Sequence, residues 1–402
     1  MRSRELERLR VLGAGIISLV LMLGIARFAY TPLLPLMQQQ AGLGAAEGGW
    51  LAAINYLGYL CGAIVASSIS DLALKDRLYR AGLIVALLTT AGMAVAENLW
   101  LWAAMRFFAG LSSAAGLLIG SGLILHWLIR HDHRSELGIH FGGLGLGIAF
   151  SAIAVAWMEP TFDWREQWLL LTVFGLGMII PAWVWLPRPH TTGTTQQGAP
   201  MVDRPPGTTF VRLFMAAYFC AGVGYVVSAT FIVAIIEQLP GLQGQGNLAF
   251  LVIGLAAAPA CILWDLVARR IGNINALIAT FILQIVGILL PVLLPNTIGA
   301  LVGAALFGGT FIGLVSLVLT MAGRFYPTRP AKMMGKMTIA YGVAQIAAPA
   351  VTGMIAEVTG TYANGLYIAS AVMLLGAVLM LLIKYQADPA AIGPGAQPSG
   401  GR

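Results

Sequence analysis

Charged side chains are scarce in this chain. Only 10% of its 402 residues are Asp, Glu, Lys or Arg, whereas 58% are apolar. A soluble domain carries about a quarter charged residues and about half apolar ones. The composition therefore excludes an ordinary water-soluble domain and indicates a protein whose solvent is a bilayer.

Groups that could perform chemistry are also few. The three cysteines, Cys61, Cys220 and Cys261, lie at unrelated spacings inside apolar runs, which indicates neither a disulfide framework nor a metal cluster. No phosphate-cradling glycine loop, nucleotide fingerprint or nucleophile–base pair is present, so we expect no ATP-driven step, no enzyme activity, no cofactor and no metal. The acids fall in loops or near the ends of apolar runs, so no carboxylate is placed to bind a cation or carry a proton at mid-membrane.

Long apolar runs are abundant in the chain. A membrane-spanning helix needs about 20 largely apolar residues. Such runs are centred near residues 24, 60, 89, 114, 148, 177, 223, 258, 284, 310, 345 and 373. The prediction is an all-α membrane protein with twelve transmembrane helices.

The basic residues predict the orientation. Of 23 lysines and arginines, only Arg27 and Arg106 fall inside spans, and Arg165 is alone on one side of the membrane. All the others fall on the opposite side, which the positive-inside rule makes cytoplasmic. We expect a multi-pass protein of the bacterial cytoplasmic (inner) membrane with both termini in the cytoplasm. The net charge of +7 is then a topological signal, and no nucleic-acid partner is expected.

The spans divide into two halves. Residues 1–186 predict one six-helix bundle and residues 210–386 a second, joined by a polar, Pro/Gly/Thr-rich cytoplasmic linker at 187–209 and followed by a disordered cytoplasmic tail at 387–402. The first span of each half corresponds, so that Gly24 aligns with Gly222 and Arg27 with Tyr225. Two pseudo-symmetric bundles around a mid-membrane site are a known plan for transporters.

Several stretches carry a family resemblance. RFAYTPLLPLM, MRFFAGLSSA, YFCAGVGYVVSATF, FGGTFIGLV and GKMTIAYGVAQIAAPAVTG resemble the YbfB/YjiJ-type branch of the major facilitator superfamily. The resemblance implies the major facilitator fold and secondary transport. It also implies that Arg106 reaches toward a central cavity and that Asp71, Arg77 and Asp265 act in gating at the cytoplasmic face.

One short stretch of span one predicts the site. Arg27 lies near the bilayer centre, where an arginine costs about 3 kcal/mol on insertion scales, so it must face a wet cavity or a partner. It is interpreted as an anion-binding group, and a structural arginine bonded to backbone carbonyls is the alternative. Tyr30 shares its face. Pro32 and Pro35 predict a break that lets the outer half of the helix close over a ligand; a static kink is the alternative.

Neutral polar residues on other spans complete the predicted binding site. Asn55 and Tyr59 in span two, Tyr225 in span seven, and Tyr341 and Gln345 in span eleven are added to Arg27, Tyr30 and Arg106. A lone tyrosine or glutamine in a span more often bonds across helices than touches a substrate. That alternative stays open here.

The leading functional hypothesis is a monomeric secondary transporter that moves a small organic anion by alternating access. Proton-coupled efflux of hydrophobic compounds or drugs is the alternative, and protons remain an open candidate for the coupled ion. A scaffold or signalling protein built on a transporter fold is the competing class. The substrate's identity and the direction of transport are not predicted.

Overall fold

The computed structural model describes residues 2–43, 45–133, 137–190, 201–238, 245–359 and 363–386. All regular secondary structure in these ranges is helical, and it forms twelve consecutive helices, α1 to α12. Two of them contain a π-helical stretch: α1 comprises Arg2–Leu19, the π-helical Val20–Phe28 and Tyr30–Gln40, and α4 comprises Leu99–Ala114, the π-helical Ala115–Gly120 and Ser121–Arg130. The others are α2 (Ala45–Ser68), α3 (Leu72–Gly92), α5 (Gly138–Met158), α6 (Trp164–Val184), α7 (Thr208–Gln238), α8 (Gly246–Ile271), α9 (Asn273–Leu293), α10 (Thr297–Phe325), α11 (Pro330–Thr359) and α12 (Ala363–Gln386).

The lengths and hydropathy of the helices confirm the prediction of a membrane protein. Ten of the helices, within the described residues, are long and apolar enough to cross a bilayer. The other two, α3 and α11, complete the twelve; α3 carries Lys75, Asp76, Arg77 and Arg80 in its first half, which lowers its hydropathy. The chain is a multi-pass helical membrane protein. The side of the bundle that holds the start of α1, the α2–α3 loop and the start of α7 is called the basic end below.

Polar side chains cap the first turns of several helices. Asn98 caps α4 by accepting from the Leu101 N–H at 3.0 Å, and Asn296 caps α10 by accepting from the Gly299 N–H at 2.8 Å. Asp163 opens α6 in a reciprocal capping box with Glu166. Side-chain oxygens at these positions satisfy backbone donors that have no partner within the helix.

The two halves pack closely where glycine removes the side chain. A Cβ on Gly145 of α5 would lie 2.3 Å from the Ala258 nitrogen of α8, and one on Gly138 would lie 2.7 Å from the Cys261 oxygen. A Cβ on Gly335 of α11 would lie 2.7 Å from the Ser67 nitrogen at the end of α2. Small residues at these positions let helix backbones from opposite halves touch.

The basic end is closed and the opposite end is partly open. At the basic end α4 meets the start of α11, since a Cβ on Gly122 would lie 2.6 Å from the Ala331 Cβ. Near the opposite end a cavity of about 350 Å³ opens between α1, α5 and α8, with Pro32, Ala152, Glu159 and Phe250 among its lining residues.

The predicted linker is only partly described. Residues 191–200 lie outside the described ranges, as does the predicted tail at 387–402. After them, the Arg204 N–H donates to the Phe325 oxygen at 2.9 Å, and Asp203 accepts from the Thr328 hydroxyl at 2.8 Å. The last part of the linker therefore packs on the α10–α11 connection before α7 begins.

Candidate functional site

A small cavity lies between the two halves near the middle of the bundle. Its volume is about 40 Å³. Five of the eight predicted binding residues line it: Arg27, Tyr59, Tyr225, Tyr341 and Gln345. Pockets that hold drug-sized ligands are roughly 300–1,000 Å³. The cavity is therefore nearly closed in this conformation and must widen to admit an organic solute.

Arg27 is buried among aromatic rings. Its guanidinium carbon lies 4.6 Å from the ring centroid of Tyr59, 4.9 Å from that of Tyr56 and 5.4 Å from that of Phe28. Within the described residues, its guanidinium forms no hydrogen bond and no ion pair. Cation–π contacts of this kind hold the charge and leave the in-plane N–H donors available.

Arg106 is bonded quite differently. Its guanidinium donates to the Ala26 oxygen at 3.1 Å and to the Arg27 oxygen at 3.3 Å. The same group lies 4.3 Å from the centroid of the Tyr30 ring. Arg106 thus bonds the backbone that carries Arg27, and it does not line the central cavity.

Tyr30 and Asn55 also lie behind the cavity. The Tyr30 hydroxyl donates to the Gly48 oxygen at 2.9 Å, and the Asn55 amide donates to the Arg106 oxygen at 2.8 Å. A Cβ on Gly110 would lie 2.0 Å from the Asn55 oxygen, so α2 and α4 are in backbone contact here. These contacts fix α1, α2 and α4 to one another behind the cavity.

The irregular backbone of α1 begins before the prolines that were expected to break it. Its π-helical turns end at Phe28, and Ala29 separates them from the segment that contains Pro32 and Pro35. Helical residues precede this segment, so Pro32 lacks an N–H that could bond the Phe28 carbonyl four residues before it, and its ring crowds that carbonyl. The irregular turns therefore end where Pro32 disturbs the helix, and closure of the outer half over a ligand at Pro32 and Pro35 stays a prediction.

Side chains from neighbouring helices bond the carbonyls of this irregular turn. Ser113 of α4 donates to the Met22 oxygen at 2.8 Å, and Ser151 of α5 donates to the Gly24 oxygen at 2.8 Å. π-helical turns are rare and occur frequently at functional sites. Here the turn ends beside Arg27 and sets the position of its side chain.

The wall of the cavity in the C-terminal half is aromatic. The Tyr225 ring centroid lies 5.0 Å from Phe311 and 5.7 Å from Tyr341, and Tyr341 lies 4.6 Å from Tyr218. The interplanar angles of these pairs are 30° to 31°. These rings are tilted with respect to one another, and together they form an aromatic surface on which a flat ligand can pack.

Sequence reasoning missed part of this arrangement. Tyr56, Tyr218 and Phe311 contact predicted site residues but were not chosen. Tyr218 lies seven residues before Tyr225, which places the two on one helix face, and this spacing could have identified it. Tyr56 gave no comparable signal beyond its position next to Asn55.

The predicted gating residues lie at the basic end. The Asp71 side chain accepts from the Ala73 N–H at 2.9 Å and caps α3, while Arg77 is exposed on the same helix. Asp265 of α8 pairs with Arg269, and a Cβ on Gly138 would lie 3.2 Å from the Asp265 Cβ. Asp265 therefore lies beside the first residue of α5, across the boundary between the halves; its role in gating stays a prediction.

Comparison with known proteins identifies the family. A family described as "Uncharacterised MFS-type transporter YbfB" matches residues 19–381. The solved structure of the human organic anion transporter MFSD10 (TETRAN) aligns with a TM-score of 0.71 at 17% identity, covering 93% of this chain and 99% of that one. At this identity the structural match establishes the fold alone.

Curated relatives are also transporters by name. The niacin transporter NiaP of Acinetobacter baylyi is 27% identical over 160 residues, which is 40% of this chain and 36% of that protein. The uncharacterized MFS-type transporter YceJ of Bacillus subtilis is 23% identical over 282 residues, which is 66% of this chain and 69% of that protein. The uncharacterized transporter mfc1 of Schizosaccharomyces pombe is 27% identical over 175 residues, 43% of this chain and 35% of that protein.

The chain therefore spans only about a third of the length of two of these relatives, NiaP and mfc1. The family match, by contrast, covers most of the chain, and it agrees with the helical fold and the site between the two halves. Members of this family are transporters and not enzymes. The chain belongs to the YbfB-type family of major facilitator superfamily transporters.

Proposed function

We propose that this protein is a secondary transporter for a small, flat organic anion, with the anionic group bound by Arg27 and the ring stacked on the aromatic wall. The observation that carries the proposal is the state of Arg27. It is a buried guanidinium held by three aromatic rings, and it makes no hydrogen bond within the described residues. Its planar fork of donors matches a carboxylate in a bidentate geometry.

The aromatic wall supports the choice of a flat ligand. Tyr225 and Tyr341 line the same cavity as Arg27, so a carboxylate bound at Arg27 would direct the rest of the ligand toward these two rings. Offset stacking contributes about 0.5–1.5 kcal/mol beyond burial. The name of one similar protein agrees: it is a niacin transporter, and niacin is a pyridine carboxylate.

Alternating access would proceed from the conformation seen here. The basic end is closed, and by the positive-inside rule it faces the cytoplasm. The 350 Å³ cavity near the opposite end would then be the vestibule that leads toward the central site. Labelling tests this orientation: a cysteine placed in the 187–209 linker should react only from the cytoplasm, and one placed at Asp163 only from outside.

A second candidate rests on the vestibule itself. Its lining is largely apolar, with Gln39 and Glu159 the polar exceptions, which suits hydrophobic compounds and keeps proton-coupled drug efflux as the alternative. In that case neutral aromatic amines or amides would bind as well as carboxylates do. The two candidates therefore differ in whether a negative charge on the ligand is required.

Matched ligands decide between them. Thermal melting and calorimetric titration of the purified protein should show binding of benzoate and nicotinate, weak binding of cyclohexanecarboxylate, and none of benzamide or nicotinamide. The amides keep the ring and lose the charge, while cyclohexanecarboxylate keeps the charge and loses the flat ring. Equal binding of benzamide and benzoate would contradict the anion proposal and favour the efflux alternative. Uptake into liposomes then tests transport.

A further inference from the structure

Lys75 is a buried lysine at the basic end of the bundle. It lies in the first turn of α3 and is only 1% exposed, and its Nζ has no hydrogen-bond partner within the described residues. An ammonium group removed from water without a partner is strongly unfavourable. A buried ammonium group of this kind favours the binding of an anion.

The acids of this region are engaged elsewhere. Asp76, the next residue, accepts from Arg80 at 3.1 Å and also pairs with Arg188. Asp71 caps the start of α3. Asp203 accepts from the Thr328 hydroxyl at 2.8 Å and lies 3.6 Å from the Arg329 guanidinium. None of these three carboxylates bonds to Lys75.

The charges that act on Lys75 are positive. They belong to Lys332 and Arg329 at the start of α11, which is part of the other half of the molecule. The packing agrees: Tyr79, one turn after Lys75 on the same buried face, lies against Gly120 of α4, and Gly122 of α4 lies against Ala331 of α11. The closed basic end thus brings Lys75 toward two like charges.

The start of α11 adds to this positive potential. Its first turn contains no acidic residue and does contain Lys332. The N-terminal end of a helix is equivalent to roughly half a positive charge, so a lysine there is unfavourable and an anion is favourable.

We propose that Lys75, Arg329 and Lys332, together with the N-terminus of α11, form a binding site for a phosphate group. Phosphate supplies several acceptor oxygens and enough charge to engage two ammonium groups at once. Because its cations come from both halves, the site is complete only while the basic end is closed. A bound phosphate therefore favours the closed conformation, by the difference in its affinity for the two states.

Two sources could supply this group. The site lies at the membrane surface, so the phosphate could belong to the headgroup of an anionic lipid or be free in solution. Melting of the full chain separates them. One series uses phosphatidylcholine nanodiscs titrated with inorganic phosphate at constant ionic strength; the other compares phosphatidylcholine with phosphatidylglycerol nanodiscs in phosphate-free buffer.

We expect a rise in melting temperature of roughly 2–4 °C in at least one series, because a ligand that binds only the folded protein stabilises it. Lys75→Gln should abolish the rise. Lys384→Gln removes the same charge from an exposed position near the end of α12 and should leave the rise intact. A rise with inorganic phosphate identifies free phosphate as a ligand, and a rise only with phosphatidylglycerol identifies the lipid headgroup.

The absence of any rise in both series would overturn the proposal, as would an undiminished rise in Lys75→Gln. If Lys75→Gln does not fold, Lys332→Gln takes its place, because that side chain is only half-buried. Lys332→Gln should lose at least half of the rise, and an unchanged rise would be equally decisive against the site. None of these measurements involves Arg27 or its ligand.

Discussion

The first helix of each half, α1 and α7, occupies an equivalent place but is built differently. α1 is interrupted by π-helical turns at Val20–Phe28 and presents Arg27 to the cavity, whereas α7 runs unbroken from Thr208 to Gln238 and presents Tyr225. A charged group at the central cavity is thus paired with an irregular backbone. A neutral aromatic group at the matching position is paired with a regular helix.

The supporting helices differ between the two halves as well. An offset of 198 residues relates Gly24 to Gly222, and it also relates the capping residues Asn98 and Asn296 at the starts of α4 and α10. At the same offset Arg106 corresponds to Ala304 and Ser113 to Phe311. The two α4 side chains that bond α1 carbonyls therefore have apolar counterparts in α10, which cannot support an opened helical turn.

The largest expected effect falls on Arg27, which distinguishes the charged side of the cavity from the aromatic side. Arg27→Gln should weaken benzoate binding by more than about 100-fold, because bonds to a charged group contribute roughly 1.5–3 kcal/mol each and two are lost. Titration calorimetry measures the affinity. Arg27→Lys keeps the charge but not the planar fork and should give an intermediate value.

The ligand-free melting temperature of Arg27→Gln is the control for this experiment. It should change little, since no described hydrogen bond is broken. Normal benzoate affinity in Arg27→Gln, or a sharp fall in its ligand-free melting temperature, would instead make Arg27 a structural residue.

Arg106 should give the reverse pattern, mainly a loss of stability. Arg106→Gln leaves the Ala26 and Arg27 carbonyls without their donor in an apolar interior, at a cost of about 2 kcal/mol. Melting of the ligand-free protein measures it. Ligand affinity should fall less than in Arg27→Gln. If Arg106→Gln melts normally and loses all affinity, Arg106 contacts the ligand and the two arginines have equivalent roles.

On the aromatic side, Tyr225→Leu should reduce affinity for benzoate about five-fold, which corresponds to roughly 1 kcal/mol of lost ring stacking. Affinity for cyclohexanecarboxylate should stay almost unchanged, since that ligand has no flat ring. Tyr225→Phe keeps the ring and serves as the control. Equal losses for both ligands in Tyr225→Leu would show that the wall provides only apolar contact.

The smallest effect is expected at Ser151. Ser151→Ala removes one of two donors to the Gly24 oxygen, because the Ala29 N–H also donates to it at 2.9 Å. The expected cost is about 0.5 kcal/mol in ligand-free stability, with no change in affinity. Ser113→Ala provides the comparison, since Ser113 is the donor to the Met22 oxygen. A large loss of affinity in Ser151→Ala would mean that the irregular turn depends on this single bond.

Hydrophobic length and the distribution of charge were enough to predict twelve helices in two halves. Each apolar run must satisfy its own backbone hydrogen bonds in lipid, so helix formation follows from local sequence. The same reasoning identified Arg27, because a buried charge is costly wherever the helix is placed. Five of the eight predicted binding residues line the central cavity.

The different roles of Arg27 and Arg106 were decided only by tertiary structure. Both are buried arginines of the same half, and nothing in their local sequence shows that one would bond backbone carbonyls of α1 while the other lies among aromatic rings. The same holds for the donors from α4 and α5 that bond the irregular turn of α1, and for the unpaired charge of Lys75. Hydrogen bonds between residues far apart in the chain depend on how the helices pack. The sequence pattern of a single helix does not determine that packing.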